Sequence, residues 1–295
     1  MQADRKSGGR ARLALIQRAI EPERDAAHRG AVEAVRAAAA GGAQIVALPE
    51  LYDLPYFPRQ VAVEGWRLAE RQPSDRVREL GRLAAELGIV LVVPVFEEAA
   101  PGVLFNAAVL YDADGRQLGL YRKNHIPDGP GYHEKYYFTP GDTGYPVWET
   151  AFGRVGVGVC WDSWFPETAR LLALGGADLL LFPTAIGSEP DRPGYSSENA
   201  WRTVMRGHAI ANGVFVGAPN RVGVEGPMTY YGGSFVCDPF GEVVARAGAD
   251  PDIVFADLDF GRNRELRELL QFFRDRRTDT YGGLLRISPD PGKAR

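Results

Sequence analysis

Cysteine and histidine are scarce in this sequence: 295 residues contain two cysteines, Cys160 and Cys237, and four histidines. The two cysteines are far apart and neither belongs to a CxxC pair, so we expect no disulfide framework. No group of His and Cys residues has the spacing of a zinc site. We therefore predict no bound metal and no cofactor, and the low cysteine content fits a cytoplasmic location.

Long apolar runs and an excess of basic residues are also missing. No stretch approaches the roughly 18 apolar residues of a membrane span, and residues 1–12 lack the apolar core of a signal peptide. The 34 Lys and Arg residues against 38 Asp and Glu residues leave a formal net charge of −4. Because this balance provides no basic surface, we expect neither a nucleic acid nor a membrane as partner.

What is present is an alternation of apolar strands and amphipathic helices along the whole chain. Hydrophobic residues make up 45% of the sequence and charged residues 24%, as in a globular protein. No linker, repeat or low-complexity segment divides it. We therefore predict one α/β domain over residues 1–295, with a flexible start at 1–11 and a C-terminal extension over about 270–295. A sheet sandwich covered by helices fits this pattern.

Individual elements follow from apolar periodicity and from helix caps. The Ala-rich stretch 24–42 ends on two glycines, and the stretch 74–88 opens on a serine, which are typical ends of helices. A third helix is predicted around 197–212. Strands are predicted over several apolar or alternating stretches, among them 12–17, 43–50, 214–219, 229–237 and 242–247.

The stretch GVGVCWDSWFPE, residues 156–167, places Cys160 between a strand and a helix. The preceding Gly and Val residues are typical of a buried strand. Pro166 suits a first helical position, and Glu167 complements the positive end of a helix. Cys160 can therefore point from a sheet edge into a cleft. A buried structural thiol is the ordinary interpretation, since free cysteine is among the most buried residue types.

Two other strand ends carry ionisable residues. Glu50 ends the stretch AQIVALPE, and Lys123 ends the stretch QLGLYRK. Taken singly, Glu50 is interpretable as a helix cap or loop charge and Lys123 as a solvated charge. Together with Cys160 they place an acid, a cation and a thiol at strand ends, where open α/β sheets gather their chemistry.

The sequence resembles the nitrilase superfamily of carbon–nitrogen hydrolases. The stretches LPELYDLPYF, YRKNHIPDGPGYHEKYYF and GVGVCWDSWFPE are similar to the three catalytic blocks of that superfamily, and the similarity extends from about residue 12 to 285. Within the superfamily it is closest to the N-carbamoylputrescine amidases. The resemblance implies a four-layer α-β-β-α sandwich of the nitrilase type. It also implies a Glu–Lys–Cys triad at Glu50, Lys123 and Cys160, with an additional glutamate at Glu134.

The resemblance and the chemistry of the side chains assign a role to each of these residues. Glu50 is expected to act as general base toward Cys160 and later to protonate the departing nitrogen and activate water. Lys123, with a backbone N–H near Trp161, is expected to stabilise the oxyanion formed on the way to a thioester. Glu134 is expected to position the substrate amide and the lysine. An ion pair with Lys135 or with a nearby Arg on a loop is the structural alternative for Glu134.

The substrate end of the site is predicted from two loops. Asp128 and Glu189 are expected to recognise an ammonium tail, and Tyr132, Trp161 and Trp164 are expected to wall its carbon chain. Each residue also has an ordinary interpretation. Asp-Gly favours turns, Glu189 fits a solvated loop charge, and the aromatics fit core packing.

The expected activity is hydrolysis of N-carbamoylputrescine to putrescine, carbon dioxide and ammonia. Two positions depart from the usual pattern of such enzymes: Ser163 stands where Gln is usual, and Ala200 where His is usual. Another ureido acid such as N-carbamoyl-β-alanine, or an ω-amide, is therefore an alternative substrate.

Two other classes of protein are alternatives. One is a catalytically silent scaffold, which the burial of three ionisable groups disfavours. The other is a redox sensor, for which Cys237 is the single candidate resolving thiol; Cys237 itself fits a buried strand position. The resemblance further implies a homo-oligomer built from dimers, with the C-terminal extension at the interface.

Overall fold

Two six-stranded β-sheets packed face to face form the centre of the protein. The structure is a computed structural model that describes residues 9–288. Its strands are β1 (Arg10–Gln17), β2 (Ile45–Ala47), β3 (Val90–Ala100), β4 (Val103–Tyr111), β5 (Gln117–Arg122), β6 (Val147–Thr150), β7 (Gly153–Val157), β8 (Leu179–Leu181), β9 (Phe215–Ala218), β10 (Val222–Glu225), β11 (Met228–Tyr231), β12 (Phe235–Cys237), β13 (Val243–Arg246) and β14 (Asp252–Asp259). Its α-helices are α1 (Arg24–Ala40), α2 (Asp75–Leu87), α3 (Pro166–Leu174), α4 (Glu198–Asn212) and α5 (Gly261–Leu270).

The first sheet has the strand order β14-β1-β2-β3-β4-β5. β1, β2 and β3 run parallel, and the outer strands are antiparallel to their neighbours. Because successive side chains of a strand point to opposite faces, Leu13 and Leu15 face the second sheet, whereas Ala14 and Ile16 pack with the apolar faces of α1 and α2.

The second sheet has the strand order β13-β12-β9-β8-β7-β6, with β7, β8 and β9 parallel. Val155 and Leu181 face the first sheet, and the opposite face packs on α3 and α4 around the buried Trp201 and Met205. The order of layers is therefore helices, sheet, sheet, helices. The predicted four-layer α-β-β-α sandwich is confirmed.

One predicted strand is divided in the structure. The stretch predicted as a single strand over 229–237 is split between β11 and β12, which lie in different sheets. Gly232 and Gly233 separate them, each with φ of 66°, a left-handed conformation that glycine adopts without steric penalty. β11 pairs with β10 in a hairpin outside the two main sheets.

The two ends of the described chain differ in burial. β1 already begins at Arg10, so residues 10 and 11 of the stretch predicted to be flexible belong to a sheet, while residues 1–8 lie outside the described residues. The C-terminal segment 274–288 lies almost entirely exposed on the surface. Within residues 9–288, no helix combines the length and the apolar character needed to cross a membrane.

Candidate active site

Three ionisable side chains predicted from separate stretches form one buried cluster. Glu50, Lys123 and Glu134 are all completely inaccessible to solvent. Nζ of Lys123 donates to Oε1 of Glu50 at 2.9 Å and to Oε2 of Glu134 at 2.6 Å. Lys123 lies two residues beyond Tyr121, whose ring faces the second sheet. The alternation of the strand therefore directs Lys123 to the space between the sheets.

The two oxygens of the Glu50 carboxylate have different surroundings. Oε1 accepts from Lys123 and also from Nδ2 of Asn106 at 2.7 Å. Oε2 is buried and has no hydrogen-bond partner among residues 9–288. A buried carboxylate oxygen without a donor is available to take a proton. The geometry therefore leaves one defined atom of Glu50 open for proton transfer.

The second carboxylate, Glu134, is held from two sides. Its Oε1 accepts from the hydroxyl of Tyr56 at 2.5 Å, and its Oε2 accepts from Lys123. Burial raises the pKa of Glu134 to about 7, against the lowering effect of Lys123 and with a further contribution from the charge of Glu50. Glu134 therefore contacts Lys123, as expected from the sequence, and the alternative of an ion pair with Lys135 is not what the structure has.

The charges of Glu50, Lys123 and Glu134 shift the pKa values of Lys123 and of Cys160. Burial lowers the pKa of Lys123, but the carboxylates of Glu134 and Glu50 outweigh it, so the pKa lies above its ordinary value. Burial raises the pKa of the Cys160 thiol, as does the charge of Glu50, while Lys123 lowers it. The thiol is therefore neutral at rest, and its reactivity requires a base that removes the proton during attack.

The backbone at Cys160 is in the left-handed region, with φ of 46°. Non-glycine residues rarely adopt this conformation, and it costs on the order of 1–3 kcal/mol unless the surroundings enforce it. The N–H of Cys160 donates to the carbonyl of Pro183 at 2.8 Å. This turn holds the side chain of Cys160 at the junction of the buried cluster and an open cavity.

The buried carboxylate of Asp162 stabilises the same turn through hydrogen bonds. Its carboxylate is fully buried and accepts four hydrogen bonds. They come from the N–H of Val159, the hydroxyl of Tyr121, and both the N–H and the ring Nδ1 of His125. Asp162 thereby joins the Cys160 turn to the segment that carries Lys123.

The cavity has a volume of about 370 Å³ and is lined by Cys160 and by all five residues predicted to contact substrate. Trp161 and Trp164 lie on one side with their ring centroids 6.2 Å apart. The hydroxyl of Tyr132 accepts from the N–H of Gly187 at 3.2 Å. The remaining predicted lining residues are Asp128, with an exposed side chain, and the partly buried Glu189.

Several polar residues of the site were not predicted from the sequence. Asn106 carries a signal that could have identified it, because it is a polar residue in the middle of the apolar stretch LFNAAVLY. Asp162 lies in the quoted stretch around Cys160, but only the fold shows its four donors. Tyr56 and Arg192, which lines the cavity, carry no sequence signal.

Three of the four histidines, His28, His125 and His208, have their hydrogen bonds outside the buried Glu–Lys–Glu cluster. His125 is held by Asp162 and stacks on Phe165 with centroids 3.7 Å apart. Nε2 of His208 donates to the carbonyl of Ser163. His28 is buried and contacts Tyr52 and Glu79. Among residues 9–288, no group of three or more His, Cys, Asp or Glu side chains is arranged to hold a metal ion.

Comparison with known proteins finds a family model and relatives that match most of this chain. The model of the carbon–nitrogen hydrolase family matches residues 12–268. An N-carbamoylputrescine amidase from Solanum lycopersicum is 46% identical over 263 residues, covering 86% of this chain and 87% of that protein. A citrullinase from Francisella tularensis subsp. tularensis is 43% identical over 254 residues, covering 84% and 89%.

Solved structures agree on the fold. A carbon–nitrogen hydrolase from Helicobacter pylori G27 superposes with a TM-score of 0.90 at 38% identity, covering 95% of this chain and 100% of that one. A second structure, Nit3 of Saccharomyces cerevisiae and a member of branch 10 of the nitrilase superfamily, superposes with a TM-score of 0.81 at 27% identity. It covers 94% of this chain and 100% of that one.

Proposed function

Because the chain belongs to the carbon–nitrogen hydrolase family and is a hydrolase of amide or ureide substrates, we propose that it cleaves N-carbamoylputrescine to putrescine, carbon dioxide and ammonia. The observation that carries the proposal is the position of Cys160, which joins a buried Glu–Lys–Glu cluster to a cavity with acidic residues at its rim. A putrescine product would make the reaction a step of polyamine biosynthesis.

The first half of the reaction forms a thioester on Cys160. Oε2 of Glu50 takes the thiol proton as Sγ attacks the ureido carbonyl carbon. The carbonyl oxygen becomes an oxyanion, which the ammonium of Lys123 stabilises. The tetrahedral intermediate then expels one nitrogen, which leaves with the proton held by Glu50.

The second half of the reaction hydrolyses the thioester and regenerates the free enzyme. Glu50 removes a proton from a water molecule, which attacks the thioester carbon, and the C–S bond breaks as Cys160 regains its proton. When ammonia is the first nitrogen to leave, the product is a carbamate, which loses carbon dioxide to give the free amine. Glu134 keeps Lys123 charged and oriented in both halves, since it is the second carboxylate bonded to Nζ.

The residues that line the cavity favour a substrate with an aliphatic chain and a positive charge. Its aromatic walls, Tyr132, Trp161 and Trp164, suit a four-carbon chain. Asp128 and Glu189 provide carboxylates for the terminal ammonium. Burial and the neighbouring Asp191 raise the pKa of Glu189, whereas Arg192 lowers it. A bound ammonium would favour the charged form of Glu189 further.

L-Citrulline is a second candidate substrate, because the same rim carries a cation. Arg192 lines the cavity beside Glu189 and Asp191. A guanidinium next to carboxylates can bind the carboxylate and ammonium of an amino acid together. The 43% identical citrullinase supports this alternative.

Release of ammonia by the purified protein distinguishes these candidates. We expect turnover of N-carbamoylputrescine, with slower turnover of L-citrulline and of N-carbamoyl-β-alanine. Cys160→Ala should abolish all turnover, while Cys237→Ser, which changes the other buried cysteine, should retain it. Faster turnover of L-citrulline would transfer the assignment to the second candidate. Turnover by folded Cys160→Ala would contradict the thioester mechanism.

We also propose that the protein is a homo-oligomer built from dimers and that it acts in the cytoplasm. The C-terminal segment leaves large apolar side chains in water: Leu284 is 67% exposed, Leu285 91% and Ile287 108%. Apolar residues grouped in this way are typical of an interface with another chain. The two free cysteines fit a reducing compartment.

A further inference from the structure

A buried arginine outside the Glu–Lys–Cys cluster holds the backbone that carries Glu50. Arg221 is completely inaccessible to solvent and lies between β9 and β10. Its Nη2 donates to the carbonyls of Glu50 at 2.6 Å, Leu51 at 3.1 Å and Leu54 at 3.3 Å. Burying a guanidinium is unfavourable unless its donors are used. Here Nη1 and Nη2 both donate to the five-residue turn 50–54, whereas Nε has no hydrogen-bond partner among residues 9–288.

The turn needs such support because its backbone is strained. Leu51, the residue after Glu50, has φ of 49° although it is not glycine. Conformations of this kind persist where the surroundings enforce them. Arg221 donates to the carbonyls of the two peptide groups that flank the Cα atom of Leu51 and to that of Leu54, so it sets the direction in which the chain leaves Glu50.

The partner of Arg221 extends this support to the second carboxylate. Nη1 of Arg221 donates to Oε1 of Glu225 at 2.8 Å, and Oε2 of Glu225 accepts from the N–H of Tyr56 at 2.5 Å. The hydroxyl of the same Tyr56 donates to Glu134. The guanidinium also lies 5.4 Å from the ring centroid of Tyr230, which packs edge-on against Tyr56.

We propose that Arg221 and Glu225 are positioning residues, which place Glu50 and Glu134 on opposite sides of Lys123 without touching the substrate. The inference rests on the proposed function, because it assumes that Glu50 takes the proton of Cys160. Arg221 and Glu225 form hydrogen bonds with backbone atoms of residues 50–56. Neither residue lines the cavity, so they act on the reaction rate and leave substrate recognition to other residues.

The matched variants are Arg221→Lys and Arg267→Lys. Lysine keeps the positive charge but cannot donate to several carbonyls in the fixed geometry of a guanidinium. Arg267 is a suitable control because it also donates to two backbone carbonyls, those of Asn212 and Ala177, at a place remote from the cavity. Glu225→Gln is the second test variant, and Glu50→Gln reports the complete loss of the base.

Alkylation of Cys160 by iodoacetamide, followed by peptide mass spectrometry across a pH series, measures the effect without any choice of substrate. We expect Arg221→Lys and Glu225→Gln to slow alkylation near neutral pH by about 10-fold to 100-fold, the range that small misplacements of reacting groups produce. Their rates should recover at higher pH, where the thiolate forms without a base. In the ureide assay kcat should fall with little change in KM.

Three results would overturn the inference. One is a wild-type alkylation rate in folded Arg221→Lys and Glu225→Gln. Another is an equal loss of alkylation rate in Arg267→Lys, which would show that the loss comes from a general decrease in stability. The third is a wild-type rate in Glu50→Gln, which would remove the role of Glu50 itself. If Arg221→Lys does not fold, the alkylation rate of Glu225→Gln decides whether the inference holds. Absence of ureide turnover with the expected alkylation pattern would contradict only the choice of substrate.

Discussion

At the scale of single residues, the site distinguishes two glutamates by what their oxygens bind. Both oxygens of Glu134 accept from a donor, Tyr56 or Lys123. Glu50 has one oxygen with two donors and one with none among the described residues. The open oxygen of Glu50 suits proton transfer, and the carboxyl group of Glu134, with both oxygens bonded, suits the positioning of Lys123. Two residues of the same type therefore have different roles because their surroundings differ.

The raised pKa of Glu134 makes a specific prediction for stability. A carboxyl whose pKa is higher in the folded protein binds a proton that the unfolded chain has lost, so its contribution to stability decreases as pH rises from 4.5 to about 7. Glu134→Gln lacks this titration. We expect the free energy of unfolding of Glu134→Gln minus that of wild type to increase as pH rises through that window, because only wild type loses stability there.

Urea unfolding of both proteins at several pH values measures this difference. Glu149→Gln provides the control, because it makes the same change at an exposed position. A difference between Glu134→Gln and wild type that stays constant across the window would contradict the raised pKa.

At the scale of structural elements, the reactive turn depends on contacts between segments that are distant in sequence. The turn after β7 carries Cys160, and the segment after β5 carries Lys123. Asp162 connects them through Tyr121 and His125. The carboxylate of Asp162 is bonded to both strand ends. It therefore fixes the position of the Cys160 thiol relative to Lys123.

Replacement of Asp162 by Asn tests this connection. An amide has only one acceptor oxygen for four donors, so we expect a loss of about 1–3 kcal/mol of stability and a fall in kcat of about 10-fold or more. Asp238 provides a matched control, because it is also buried and accepts from backbone N–H groups of a turn. Asp238→Asn should lose similar stability while kcat stays unchanged. Equal kcat values for the two variants would contradict the connection.

At the scale of the whole molecule, four layers bury three apolar interfaces, whereas apolar side chains of the C-terminal segment stay exposed. The intersheet core and the two helix–sheet cores contain most of the large aliphatic residues. Among residues 9–288, nothing covers Leu284, Leu285 and Ile287 to a comparable extent, and their side chains are exposed. A second copy of the chain would remove this apolar surface from water.

The proposed assembly makes a prediction for particle mass. The double variant Leu284→Ser and Leu285→Ser should reduce the mass measured by light scattering after size-exclusion chromatography, because it removes apolar area from the interface. Val61→Ser is the control, since Val61 is 57% exposed on a different part of the surface. An unchanged mass in the double variant would place the interface elsewhere.

The sequence by itself determined the elements and the candidate chemistry. Apolar periodicity and caps predicted most strands and helices, because these signals are local. Resemblance to a known superfamily predicted Glu50, Lys123, Glu134 and Cys160 as a set and the four-layer fold. The single strand predicted over 229–237 was wrong because two glycines with left-handed backbone separate strands that pair in different sheets.

Only the tertiary structure decided which atoms meet. The partners of Glu50, namely Asn106, Lys123 and Arg221, are 56, 73 and 171 residues away in sequence. Such contacts arise when sheets stack and strand ends converge, and no local pattern encodes them. For the same reason the open oxygen of Glu50 and the support from Arg221 became visible only in the folded chain.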